Sequence, residues 1–223
     1  MSEVIDFLTE AHGREEICRV GRSLFDRGYV HATAGNISVR LADGYLITPT
    51  DACMGFLEPA RIARVADDGM QISGDRASKT LAMHRRIYQS EPNARCVIHT
   101  HSTNLVELTL KGVWRVDDIL PPITPYFVMK VGHVPLIPYH LPGSAAAAEL
   151  VAKSILRART AGLPLRAVML DRLGPNVWHT TPATAMAILE ELEETAGLWL
   201  RTDAQPLGPE QIEDLRRVHG ACW

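Results

Sequence analysis

Short β-branched runs alternate with amphipathic helical stretches along nearly all 223 residues, and no linker, repeat or low-complexity segment interrupts them. That interleaving is the strongest constraint on the fold, because it calls for one α/β domain rather than separate helical and all-β halves. Ile17, Val20 and Leu24 lie at helical spacing and predict a helix over about 11–27. Asn36–Leu41 and Tyr45–Pro49 flank Ala42-Asp43-Gly44 and predict a hairpin, with a weaker strand at Met70–Ser73. A helix is expected over Ser78–Ser90, stopped by Glu91-Pro92-Asn93. Cys96–His101 reads as a strand, Pro121 to Pro125 as a proline-rich connection and Val134–Pro138 as a further strand. Ser144 is the expected N-cap of an alanine-rich helix. Arg166–Leu170 and Asn176–His179 read as strands on either side of a Gly174-Pro175 turn. Thr181-Pro182 then opens a helix striped by Leu189, Leu192, Ala196 and Trp199, and a last helix follows Pro209.

Composition narrows the function classes. The chain is 46% hydrophobic and 22% charged with a net charge of −3, which suits a globular protein with its own core. No basic block marks a nucleic-acid surface. No apolar run reaches the roughly 18 residues of a membrane span. The first six residues are acidic and lack the apolar core of a secretory signal. Cys18, Cys53, Cys96 and Cys222 are widely spaced and read as reduced thiols of a cytoplasmic protein.

Three short segments carry chemistry. In His99-Thr100-His101, residues i and i+2 of a strand point to one face, a spacing that lets two imidazoles share a metal ion. Paired structural histidines would show the same pattern. Thr33-Ala34-Gly35-Asn36-Ile37-Ser38 can present backbone N–H groups and short donors to an anion, although an ordinary glycine turn would look alike. Thr48-Pro49-Thr50-Asp51 is a second small polar loop at a strand end.

Together with other segments these resemble the class II aldolase/adducin family. The matching stretches are T-A-G-N-I-S (33–38), Y-L-I-T-P-T (45–50), S-G-D (73–75), A-S-K-T-L-A-M-H (77–84) and V-I-H-T-H-S (97–102). L-P-P-I-T-P-Y (120–126), L-D-R-L-G-P (170–175) and E-E-L-E-E-T-A (190–196) follow in order. The likeness covers about residues 5–200 and is nearest the sugar-acid branch typified by the 3-oxo-tetronate 4-phosphate decarboxylases. It implies an α/β fold with a central, mainly antiparallel sheet covered by helices. It also implies a divalent metal, usually zinc, held by the two histidines of H-x-H and a third histidine, and used as a Lewis acid. A catalytic glutamate, a phosphate-binding loop and a tyrosine from a neighbouring subunit of a homotetramer complete the implied site. Residue by residue, His99 and His101 match the metal ligands, Gly35 and Asn36 the phosphate loop, and Ser78 and Lys79 the substrate-binding helix start. Thr50 matches the second phosphate loop and Tyr126 the tyrosine, a possible proton donor.

Two central positions depart from the pattern. Thr80 stands where the glutamate is expected, and Leu173 stands where the third histidine is expected. Asp171 is the proposed replacement ligand, two residues before Leu173 and so on the same face if both lie on a strand; His140, His179 or water are the alternatives. A set of His99, His101 and Asp171 would also suit Fe(II), and Mn is a further option beside Zn. Asp51 adds a negative charge to a loop expected to hold phosphate, which favours a substrate other than a standard sugar phosphate. The expectation is a metal-dependent lyase, aldolase or decarboxylase, acting on a small oxygenated carbon acid, with Tyr126, Lys79 and Thr80 at the catalytic positions. Non-heme redox or oxygenase chemistry, and a non-catalytic assembly domain, are the competing readings.

Overall fold

The computed structural model describes residues 7–223, so the expectation for the acidic N-terminus lies outside the described residues. Eight strands form one sheet: β1 (Asn36–Leu41), β2 (Gly44–Ile47), β3 (Ala63–Ala66), β4 (Gln71–Ser73), β5 (Cys96–His99), β6 (Leu136–Ile137), β7 (Ala167–Leu170) and β8 (Gly174–His179). Their order is β4-β3-β2-β1-β5-β8-β7-β6, and every neighbouring pair is antiparallel except β6–β7. The mainly antiparallel sheet expected from the resemblance is therefore present.

Both faces are covered, which explains why the central strands are almost wholly apolar rather than alternating with polar residues. On one face Ile37, Val39, Ile98, Met169 and Val177 pack against α1 (Glu10–Asp26), α3 (Thr103–Lys111) and α6 (Pro182–Arg201). On the other, Tyr45, Val97, Val168 and Trp178 pack against α2 (Leu81–Ser90) and α5 (Ala145–Thr160). Two remaining helices, α4 (Pro125–Lys130) and α7 (Pro209–His219), meet through Val128 and Ile212, and Trp223 closes over Phe127 and His133.

The expected caps are in place. Ser144 accepts from the Ala147 N–H, and Thr181 accepts from the Thr184 N–H ahead of Pro182. A cap not foreseen serves α3, whose Ser102 makes no side-chain cap bond. The buried Glu193 carboxylate of α6 accepts from Asn104 N at 2.8 Å and Leu105 N at 3.0 Å instead. The segment 170–176 differs from the expected strand–turn–strand. Gly174 and Pro175 belong to β8, and the turn is Asp171–Leu173, with Arg172 at φ 59°.

Candidate active site

The site is built on register. Asn36 of β1 lies opposite His99 of β5, and His99 lies opposite Asn176 of β8. Residues in register on adjacent strands share a face, so the three side chains form one polar row. They sit at the strand ends on the α2–α5 face. Two residues further along each strand, the same face carries Ser38, Val97 and Trp178, already under the helices.

The row floors a cavity of about 220 Å³. Lys79 and Thr80 enter it from the start of α2, Ser144 and Ala145 from the start of α5, and Leu173 from the turn before β8. Two helix N-termini thus converge on one space, and their free N–H groups favour an anionic ligand. Among the described residues that line the cavity, Lys79 carries the formal charge and no carboxylate is present.

His99 is held rigidly. Its Nδ1 lies 2.8 Å from the Pro175 carbonyl oxygen, which can only accept, so Nδ1 carries the hydrogen and Nε2 is a bare acceptor while the ring is neutral. Burial, with His101 adding, pushes the His99 pKa down to about 4 against the opposing pull of that hydrogen bond. Burial also lowers His101, whose ring centroid stands 5.1 Å from that of His99. His101 lies one residue beyond Thr100, after β5 has ended, yet the two rings still meet as the H-x-H spacing predicts.

Behind the row, His84 Nδ1 is 2.8 Å from Ser38 Oγ, which is 2.7 Å from the Tyr88 hydroxyl. His84 is fully buried, and burial together with His99 pushes its pKa down to about 3. The Ser38–Tyr88 connection has no local sequence signal because it joins β1 to α2.

Glycine keeps the backbone close beneath the histidines. Gly35 (φ +81°) and Gly174 (φ +135°) both press on the His99–His101 segment; a Cβ on Gly35 would lie 2.5 Å from His99 O, and one on Gly174 1.9 Å from Thr100 O.

Several expected site residues lie elsewhere. Asp171 is not with the two histidines: the strand ends at Leu170, so the alternation that would have put Asp171 and Leu173 on one face does not apply in the turn. Asp171 lines a neighbouring pocket with His140, while Leu173 borders both. His179 and Tyr126 share a separate surface cavity of about 550 Å³. Thr50 Oγ1 donates to the Ala77 carbonyl, Ser78 Oγ pairs with Thr80 Oγ1, and Asp51 borders a fourth pocket with Arg61. The repulsion argument from Asp51 therefore does not reach the His99 cavity. Asn176 was missed as a site residue, because its place opposite His99 follows from strand pairing across distant segments.

Among the described residues no group of three His, Cys, Asp or Glu side chains stands close enough to hold a metal ion. Two imidazoles beside an apolar Leu173 supply two of the three protein ligands that a catalytic zinc centre takes. The full centre implied by the resemblance does not fit these residues.

Comparison with known proteins places this architecture. The chain is 57% identical to the 3-oxo-tetronate 4-phosphate decarboxylase of Cupriavidus necator, covering 96% of this chain and 99% of that protein. It is 40% identical to the Escherichia coli K12 protein of the same name, over 83% and 84% of the two chains. The crystal structure of YgbL from Escherichia coli superposes with a TM-score of 0.84 at 37% identity, covering 93% of this chain and 99% of that one. The L-fuculose-1-phosphate aldolase of Thermus thermophilus gives 0.72 at 26% identity, over 85% and 93%. Residues 15–200 match the Class II Aldolase and Adducin N-terminal domain, and the chain belongs to that family.

Proposed function

We propose that the chain is a lyase that decarboxylates a small 3-oxo acid carrying a second anionic group, with 3-oxo-tetronate 4-phosphate as the first substrate to test. The observation that carries the reading is the lining of the cavity: a lysine, two neutral imidazoles, two carboxamides and two helix N-termini, with no carboxylate.

That lining discriminates between two reactions of the family. Aldol cleavage of a ketose phosphate begins with removal of a hydroxyl proton and so needs a base, a contribution of about 10²–10⁴-fold. Thr80 cannot supply one, and burial weakens the two imidazoles as bases. Decarboxylation of a 3-oxo acid needs no base. The C1–C2 bond breaks, CO2 leaves, and the electron pair moves into a C2–C3 double bond with the negative charge on the C3 oxygen. C2 then takes a proton from solvent, and 3-oxo-tetronate 4-phosphate yields dihydroxyacetone phosphate. A carboxylate at position 80 would repel a substrate with two anionic groups, and threonine does not. Lys79 and the α2 and α5 N-termini attract both anions, and the floor positions the reacting carbons.

A divalent ion held by His99 and His101, of zinc or another metal, remains part of this reading only as a weakly retained addition. A homotetramer in the cytoplasm, with Tyr126 facing a neighbouring subunit, is likewise proposed from the family likeness. Light scattering that gives a 25 kDa monomer at micromolar concentration would remove that element.

The test measures CO2 release from 3-oxo-tetronate 4-phosphate beside aldol cleavage of L-fuculose 1-phosphate. The expected result is turnover of the first substrate and little of the second. Cleavage of the second at the usual enzymic rate of about 1–10³ per second would overturn the proposal, as would the absence of CO2 release.

A further inference from the structure

The floor of the cavity is polarised along the row. His99 uses its Nδ1 hydrogen on Pro175, so its Nε2 offers a lone pair. The two carboxamides beside it are turned in opposite senses. Among the described residues, Asn36 Oδ1 and Asn176 Nδ2 are enclosed by protein without a partner, so the amide atoms left at the cavity surface are Asn36 Nδ2 and Asn176 Oδ1. From β1 through β5 to β8 the row therefore runs donor, acceptor, acceptor.

The walls have the opposite character. Lys79 and the free N–H groups at the starts of α2 and α5 are donors. A carboxylate, a ketone and a phosphate are acceptors and suit those walls. Against Asn176 Oδ1 they would set lone pair against lone pair, so this atom calls for an O–H on the ligand. His99 Nε2 stands beside the His101 ring, and that pair is the one offered to an ion in the function proposed above. Asn176 Oδ1 is then the acceptor left to an organic ligand.

The fold does not ask for a polar side chain at this position. Asn176 is 2% exposed, Val168 is its partner on β7, and Trp178 is its same-face neighbour on β8. A leucine, with the same branching, would avoid the cost of enclosing Nδ2 without a partner. What the asparagine adds at the cavity surface is one acceptor oxygen.

We infer that Asn176 is a specificity-determining residue: its Oδ1 accepts the hydrogen of a hydroxyl on the carbon next to the ketone, so the site takes 2-hydroxy-3-oxo acids and rejects their 2-deoxy counterparts. This rests on the decarboxylation proposed above. In 3-oxo-tetronate 4-phosphate the C2 hydroxyl is the one O–H donor once carboxylate and phosphate are ionised. It is kept in the product, dihydroxyacetone phosphate. A site that bonds a substrate hydroxyl discriminates against the analogue lacking it, because its buried polar group is then left unpaired.

The experiment measures, by calorimetry, binding of dihydroxyacetone phosphate and of acetonyl phosphate, which has the same ketone and phosphate but no hydroxyl. The proteins are wild type, Asn176→Leu and Asn176→Val. Wild type is expected to bind dihydroxyacetone phosphate about 10–10²-fold more tightly, the effect of one hydrogen bond whose acceptor is left unmet without it. Asn176→Leu is expected to bind acetonyl phosphate as wild type does and to lose the preference. Asn176→Val, smaller and β-branched, gives the same comparison if the leucine variant does not fold. No preference in wild type, absence of binding included, would overturn the inference. So would a preference kept in the apolar variants, or an equal loss of both ligands. Release of CO2 from 3-oxo-tetronate 4-phosphate is measured beside it. An Asn176-dependent preference without CO2 release supports this inference and removes the decarboxylation, and CO2 release without the preference does the reverse.

Discussion

Replacing Gly174 with alanine tests whether close backbone contact positions the histidines. The added Cβ would lie 1.9 Å from Thr100 O, where ordinary contact begins at 3.4 Å, so the segments must part by about 1.5 Å, the difference between the two. The atom in the way is backbone, which cannot rotate aside. A non-glycine residue in so sparse a region of φ costs about 1–3 kcal/mol, and overpacking costs about 1–3 kcal/mol more. The sum, about 2–6 kcal/mol, lowers the unfolding temperature on the order of 10 °C for a chain of this size. The shift falls on Thr100, between His99 and His101, and misplacement by about 1 Å can cost about 10²-fold in rate. Gly162→Ala is the control: its φ is +76°, but a Cβ there meets nothing within 4 Å. It pays only the backbone term, about 1–2 kcal/mol, with activity unchanged. Thermal unfolding and kcat/KM of both variants decide the matter. Equal losses in the two, or a Gly174→Ala protein as active as wild type, would refute the contact argument.

Other outcomes follow from the same structure. Leu173→His is expected to raise the zinc content of the purified protein toward one equivalent from a lower wild-type value, and His99→Ala/His101→Ala to abolish it; equal content in all three, by elemental analysis, contradicts the two-histidine site. His84 is neutral in the fold to about pH 3 but takes a proton near pH 6.5 when unfolded, so the unfolded chain binds more protons across that window. Stability should therefore fall as pH drops from about 6.5 toward 3, and less steeply in His84→Gln, as read by urea unfolding at several pH values. Glu193→Ala strips two α3 N–H groups of their acceptor and should cost about 2–4 kcal/mol, while Glu193→Gln, which keeps an oxygen, should cost less; equal stability of Glu193→Ala and wild type removes the cap assignment.

Most of the fold was legible in local pattern. The hairpin, the two capped helices and the strand carrying His99 follow from periodicity and from Ser144, Thr181 and Pro182, whose chemistry acts within a few residues. The helix α3 and the strand β3 gave weaker signals and were not foreseen. The side-chain cap of α3 comes from Glu193, far along the chain. Asp171 was placed by strand alternation, which fails one residue past the end of β7. The H-x-H pair was legible because both residues lie in one segment. The Asn36–His99–Asn176 row was not, since no local rule relates three strands that pair only in the folded sheet.

That row also ties the site to the folding reaction. Its members come from the beginning, middle and end of the chain, and they become neighbours only when β1, β5 and β8 have all paired. Contacts of such long sequence separation are slow to form, because loop closure must be met before they reward the chain. A partly folded chain, or a fragment ending before β8, has the two histidines but an incomplete floor, without Asn176. Capture of a ligand by the row is therefore a signal of finished folding, and a bound ligand stabilises only the completed sheet.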